Sequence, residues 1–92
     1  MNGYEERFWK QLTAIQSFTV GDMLGQTEKY TNVEELLIDT SYNLIYRILE
    51  LVDGYVDPET KYKLIDNLSG TVINAHGDLH NDCEERLMST NK

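Results

Sequence analysis

Residues 57–74 read Asp57-Pro58-Glu59-Thr60-Lys61-Tyr62-Lys63-Leu64-Ile65-Asp66-Asn67-Leu68-Ser69-Gly70-Thr71-Val72-Ile73-Asn74, and the fold class turns on them. Two readings compete. Asp57-Pro58-Glu59 is a good helix start, a capping side chain followed by proline at the first helical position. Leu64, Leu68, Val72, Leu79, Cys83 and Leu87 would then line one long stripe. Against this, Gly70 and Gly77 would fall inside the helix, each costing about 1 kcal/mol relative to Ala. Ser69, Thr71, Val72, Ile73 and Asn74 are also poor helix formers. The rival is a β-hairpin. Residues 61–66 form one strand, 71–74 the other, and 67–70 a loop with Gly70 in the left-handed position. Asp57-Pro58-Glu59-Thr60 then becomes a type I turn. The residue types favour the hairpin, which must pack on helices because a two-stranded ribbon alone is marginal.

Working outward, the segment before it is the strongest helix signal in the chain. Asn32 or Thr31 can cap it, each with a glutamate three residues on, and Gly54 stands where a left-handed terminator is wanted. The spacing predicts a helix over 33–53. Its apolar residues cover about half the wheel, wider than the ~100° stripe of a one-sided surface helix. Glu35, Asp39, Asn43, Arg47, Glu50 and Asp53 fill the remaining arc. Such a helix must be covered on two sides, by its own domain or by another chain. An earlier helix is marked by Tyr4, Phe8, Leu12, Ile15 and Phe18, with Trp9 at the stripe's edge. Residues 20–30, punctuated by Gly21, Asp22 and Gly25, read as a connector. A last helix is capped by Asp78 and buries Leu79, Cys83 and Leu87. The expected fold is therefore α+β: two main N-terminal helices, a β-hairpin and a C-terminal helix. The alternative is an all-α bundle of three to four helices. Residues 1–92 form one domain, with 89–92 a frayed tail.

Composition narrows the function. A chain of 92 residues can bury roughly 60–65% of its unfolded surface, enough for one modest core. Sixteen acids face eight bases, giving a net charge of -8. Phosphate backbones and anionic lipid repel such a chain, so direct nucleic-acid or membrane binding is not expected. No apolar run is long enough for a membrane span. Residues 2–11 hold Glu5, Glu6, Arg7 and Lys10 with no apolar core, unlike a secretory leader. The single Cys83 cannot form an internal disulfide. A cytoplasmic protein is expected.

Chemistry-bearing patterns are sparse. His76 and His80 are four residues apart and Cys83 follows three later, donor types and one-turn spacings that suit zinc. Gly77 and Asp78 would start a helix between the histidines and spoil that grip, and Cys83 falls on an apolar edge. Glu50 and Asp53 have the spacing of a magnesium-binding acid pair, but a second such pair is missing. A thiolate–imidazolium pair of Cys83 and His80 is opposed by the burial of that edge. There is no Gly-x-Ser-x-Gly elbow and no phosphate-binding loop. Nucleic-acid mimicry needs an unbroken row of carboxylates, which Arg47, Lys61 and Lys63 interrupt. The six tyrosines suit half-buried rims and interfaces alike.

The expectation is a small acidic accessory or interaction protein without catalytic activity or cofactor. It acts through a self-association or protein-partner surface on the second helix, at Tyr42, Ile45, Tyr46 and Leu49. A zinc-binding module using His76, His80 and Cys83 is the alternative, and a nucleic-acid-mimicking inhibitor a further one.

Overall fold

The computed structural model describes residues 2–90. Helix α1 spans Gly3–Leu24, a 3-10 turn covers Thr27–Lys29, and helix α2 spans Val33–Asp53. After a long irregular segment, a 3-10 turn at Leu79–Asp82 runs into the short α3, Cys83–Arg86. The two long helices form a hairpin, and the C-terminal segment folds back on α2.

Each long helix starts on a local hydrogen bond. The Asn2 side chain accepts from the Glu5 amide at 2.7 Å, and Asn32 accepts from the Glu35 amide at 2.9 Å. Such caps are worth about 1 kcal/mol each. Gly54 ends α2 in the left-handed region, at φ 90°, and its amide reaches back to the Leu51 carbonyl. Helix α1 continues through Gly21 to Leu24, where the sequence suggested a connector. Tertiary contacts outweigh the glycine there. Thr19 and Met23 are buried, and Asp22 pairs with Arg47 of α2 at 2.8 Å. The Arg47 guanidinium also donates to Thr19 Oγ1 at 2.9 Å and lies 4.7 Å from the centre of the Phe18 ring. Tyr4 and Phe18, expected in the buried stripe, are both exposed.

The α+β expectation is overturned. No strand forms among the described residues, and the fold is all-helical. Residues 57–74 are neither a hairpin with two strands nor a helix. Asp57 makes a tight turn, its carboxylate accepting from the Glu59 amide and its carbonyl from the Thr60 amide. Gly70 turns the chain at φ 74°, and one antiparallel bridge joins Ile65 to Val72. The ladder stops after that bridge for a definable reason. The Asn74 carboxamide accepts from the Leu64 amide at 3.0 Å and donates to the Tyr62 carbonyl at 2.9 Å. A side chain thus occupies the place of the next backbone partner. The Tyr62 amide goes instead to the Val52 carbonyl at the end of α2. Tyr62 itself docks on α1, edge-on to Phe8 and donating to Gln11 Oε1 at 2.6 Å.

The fully enclosed apolar core is small: Ile15, Met23, Leu51, Val52 and Cys83. The radius of gyration is 15.0 Å, against about 12 Å for a compact domain of this length. The accessible surface is 6978 Å², against about 5,500 Å² for a monomer of this mass. Two regions expose apolar side chains in groups. One is the arm at 61–76, whose tip carries Leu68 at 98% exposure; the other is one side of the helical hairpin.

Two glycines test this account in opposite directions. A Cβ at Gly54 would lie 3.2 Å from the Lys61 Cβ in a left-handed backbone, whereas nothing stands within 4 Å of one at Gly21. Gly54→Ala is expected to destabilise by about 1–2 kcal/mol. Gly21→Ala is expected to stabilise by about 0.5–1 kcal/mol. Urea denaturation of both variants measures the two signs.

Candidate functional site

Two aspartates on α2 anchor the C-terminal segment. Asp39 and Asp53 are fourteen residues apart, close to four helical turns, so they project on one side. Both are buried, although their arc of the wheel looked like a solvated face. Asp53 is held by His80: one carboxylate oxygen accepts from the His80 amide at 3.0 Å and lies 2.7 Å from His80 Nδ1. Asp39 accepts from the Tyr30 hydroxyl at 2.8 Å, from the Thr90 amide at 2.8 Å and from the Thr90 hydroxyl. Thr90, expected in a frayed tail, is thereby tied to α2; residues 91 and 92 of that tail lie outside the described residues.

Burial opposes ionisation of both carboxyls. Donors outweigh it: the His80 amide and ring and the Leu79 amide at Asp53, Thr90 and Tyr30 at Asp39. Both groups sit below the ordinary 3.8 and are ionised at neutral pH. An ionised carboxylate only accepts, so the His80 proton facing Asp53 is on Nδ1. Burial, and then the bond to Asp39, pushes the Tyr30 hydroxyl up to about 12. The His80 ring is enclosed by Tyr55 and Tyr46, both edge-on, at 4.6 and 5.6 Å between centroids. Tyr55 donates in turn to Asp78, which caps no helix amide here.

The zinc reading requires His76, His80 and Cys83 together. His76 is exposed, while His80 is committed to Asp53 and Cys83 is buried. Among the described residues no group of three His, Cys, Asp or Glu is placed to hold a metal ion. Burial raises the Cys83 thiol above its ordinary value, with Asp53, Asp82 and Glu50 adding to the effect, so a reactive thiolate is not favoured. Asp53 is buried with one carboxylate oxygen committed to His80.

The four expected interface residues divide. Tyr42 stacks on Tyr46 at 6.3 Å, and Tyr46 meets His80. Leu49 shares a shallow pocket with Leu79, Cys83 and Leu87. Those three residues line contacts with the chain's own C-terminal segment. Ile45 alone of the four is exposed, at 39%.

Ile45 belongs to the side of α2 that the aspartates leave open. The exposed residues of α2 are Val33, Glu34, Leu37, Ser41 and Ile45, and no others. Val33, Leu37, Ser41 and Ile45 follow one i, i+4 row. Beside them α1 exposes Trp9, Thr13, Gln16, Val20 and Leu24, spaced four, three, four and four apart. In an antiparallel pair both rows are offset in the same sense from the helix contact, and so face the same side. Neither row carries a charge, in a protein that is 26% charged. Leu37 is 60% and Trp9 55% exposed. Sequence reasoning placed the surplus apolar surface on α2 and named Ile45 of this side, but not Val33 or Leu37, and it missed the α1 row. The signal for that row was present as the spacing of Trp9, Gln16, Val20 and Leu24 outside the Tyr4–Phe8–Ile15 stripe.

No protein-family model, curated protein or solved structure matches the chain. No helix among the described residues is long and apolar enough to cross a membrane.

The carboxylate anchors make stability pH-dependent with a definite sign. Their folded-state values lie below 3.8, so their contribution is complete at neutral pH. It is lost as pH falls from 3.8 through those lower values. Asp53→Asn is expected to cost about 1.5–3 kcal/mol at pH 7 and to flatten the acid limb. Urea unfolding of both proteins across the acid range measures this.

Proposed function

We propose that this chain is a small acidic interaction protein that works through the uncharged apolar face of its helical hairpin, without chemistry of its own. The open row of α2, with Leu37 and Ile45 at its centre, carries this reading. A contiguous apolar face of this kind on a small acidic chain has the character of the central part of a protein interface, where charged residues are depleted. That face adds little to the enclosed core of one copy, since Leu37 and Trp9 remain mostly exposed. The opposite side of α2 is already taken by His80 and Thr90. The polar cleft of about 430 Å³ between Asp22, Tyr30, Asp39 and Thr90 is explained by that internal anchoring. The partner is a protein, and the acidic remainder of the surface keeps nucleic acid and anionic lipid away from the face.

The zinc-module and nucleic-acid-mimic readings draw less support. The first lacks a convergent ligand set among the described residues. The second needs rows of exposed carboxylates, whereas α2 exposes only Glu34 of its acids.

Position-specific photo-crosslinking in the native host tests the face. A photoreactive side chain at Leu37 is expected to give an adduct of defined mass, identifiable by mass spectrometry as another protein or as this chain. The same group at Glu84, on the exposed side of α3, should give none. Equal labelling at both positions, or none at Leu37, would overturn the reading.

A further inference from the structure

Resting on that reading, we infer that the occupant of the open face is a second copy of this chain, docked α2 against α2 about a two-fold axis near Ser41. Area is the first argument. The chain exposes about 1,500 Å² more than a monomer of its mass. A standard interface takes about 800 Å² from each partner, roughly half of that excess. Two hairpins of 22- and 21-residue helices meeting face to face make a four-helix arrangement.

Charge is the second argument, and it selects among partners. A basic protein would be recognised by carboxylates, yet the two rows have none between Glu6 at one end and Glu34 at the other. Two copies at -8 each repel everywhere except along such a strip. The rows on which the acids lie turn inward or to the far side: Asp39 and Asp53 are buried, and Glu35 and Glu50 are half-buried. A like-charged copy can therefore approach this face at the lowest electrostatic cost.

Register is the third. An isologous contact must be self-complementary. Ser41 lies midway between Leu37 and Ile45, so an axis at Ser41 sets each Leu37 against the partner's Ile45. The serine is small enough to let the two helices approach closely at the crossing. Trp9 and Val20 of α1 flank this seam and are covered with it.

Sedimentation equilibrium of the full chain at high micromolar concentration tests the inference, alongside Leu37→Glu, Ile45→Glu and Ser41→Cys. The wild type is expected to be a dimer. Each glutamate should weaken association by about tenfold or more while leaving the helical circular-dichroism spectrum intact, since both sites are exposed in one copy. Ser41→Cys should oxidise to a covalent dimer, with the native Cys83 buried and outside the reaction. Added salt should tighten the dimer by screening the repulsion, the opposite of its effect on an acid–base complex. A dimer that survives both glutamates, fails to crosslink at position 41, or loosens with salt overturns the inference. A monomeric wild type also overturns it, and acrylamide quenching of Trp9 then separates the two levels. Free quenching leaves the face open for a different protein, whereas a shielded Trp9 removes the proposed surface as well.

Discussion

The Asp53 carboxylate, closed over by His80, is the constraint on which the arrangement depends. It satisfies a backbone amide and a ring nitrogen at once, in a setting where an unpaired charge would be costly. Holding His80 there fixes the start of the C-terminal segment at one end of α2. Asp39 fixes its other end through Thr90, fourteen residues back along the same helix. Between these anchors Tyr46, Leu49, Leu79 and Cys83 come together as a consequence. Directional hydrogen bonds at Asp53 and Asp39 and the apolar contact of Leu49 with Leu79 and Cys83 together set which side of α2 is covered.

That choice inverts the ordinary amphipathic pattern. A surface helix usually buries its apolar arc and solvates its acids. Here two of the five acids on α2 are buried because each captures a distant donor. Part of the apolar arc is left outside, since the short C-terminal segment and α1 together cover only two of the helix's three sides. The remaining side exposes Val33, Leu37, Ser41 and Ile45, with Glu34 at its N-terminal end as the one exposed charge.

What could be read in the sequence follows from how far each residue must reach. Asn32 and Gly54 find their partners within about one turn, and their roles bound α2 at Val33 and Asp53. The turn at residues 67–70 was equally local, and Gly70 adopts its left-handed conformation. The strands beside it were not decided locally. β-Branched residues at 71–73 satisfy a strand propensity, but the Asn74 side chain takes the ladder's next hydrogen bonds, and only the folded chain brings it opposite Leu64 and Tyr62. Asp39 and Asp53 looked like solvated acids because their partners stand 51 and 27 residues away. The interface set at Tyr42, Ile45, Tyr46 and Leu49 came from the width of the apolar arc. Width alone cannot say which flank the chain itself uses.

The same two carboxylates also connect the net charge to the open face. Acids used as internal anchors are removed from the surface of α2, which leaves Glu34 as its exposed carboxylate and an uncharged row behind it. The other acids are spread over both ends of α1, the turns and connecting segments, and α3. On the proposed reading, a chain with eight surplus negative charges repels its neighbours over most orientations and offers contact along the uncharged row. The hydrogen bonds that hold His80 and Thr90 in place commit the opposite side of α2 to the C-terminal segment, which leaves the uncharged row of Val33, Leu37, Ser41 and Ile45 facing outward.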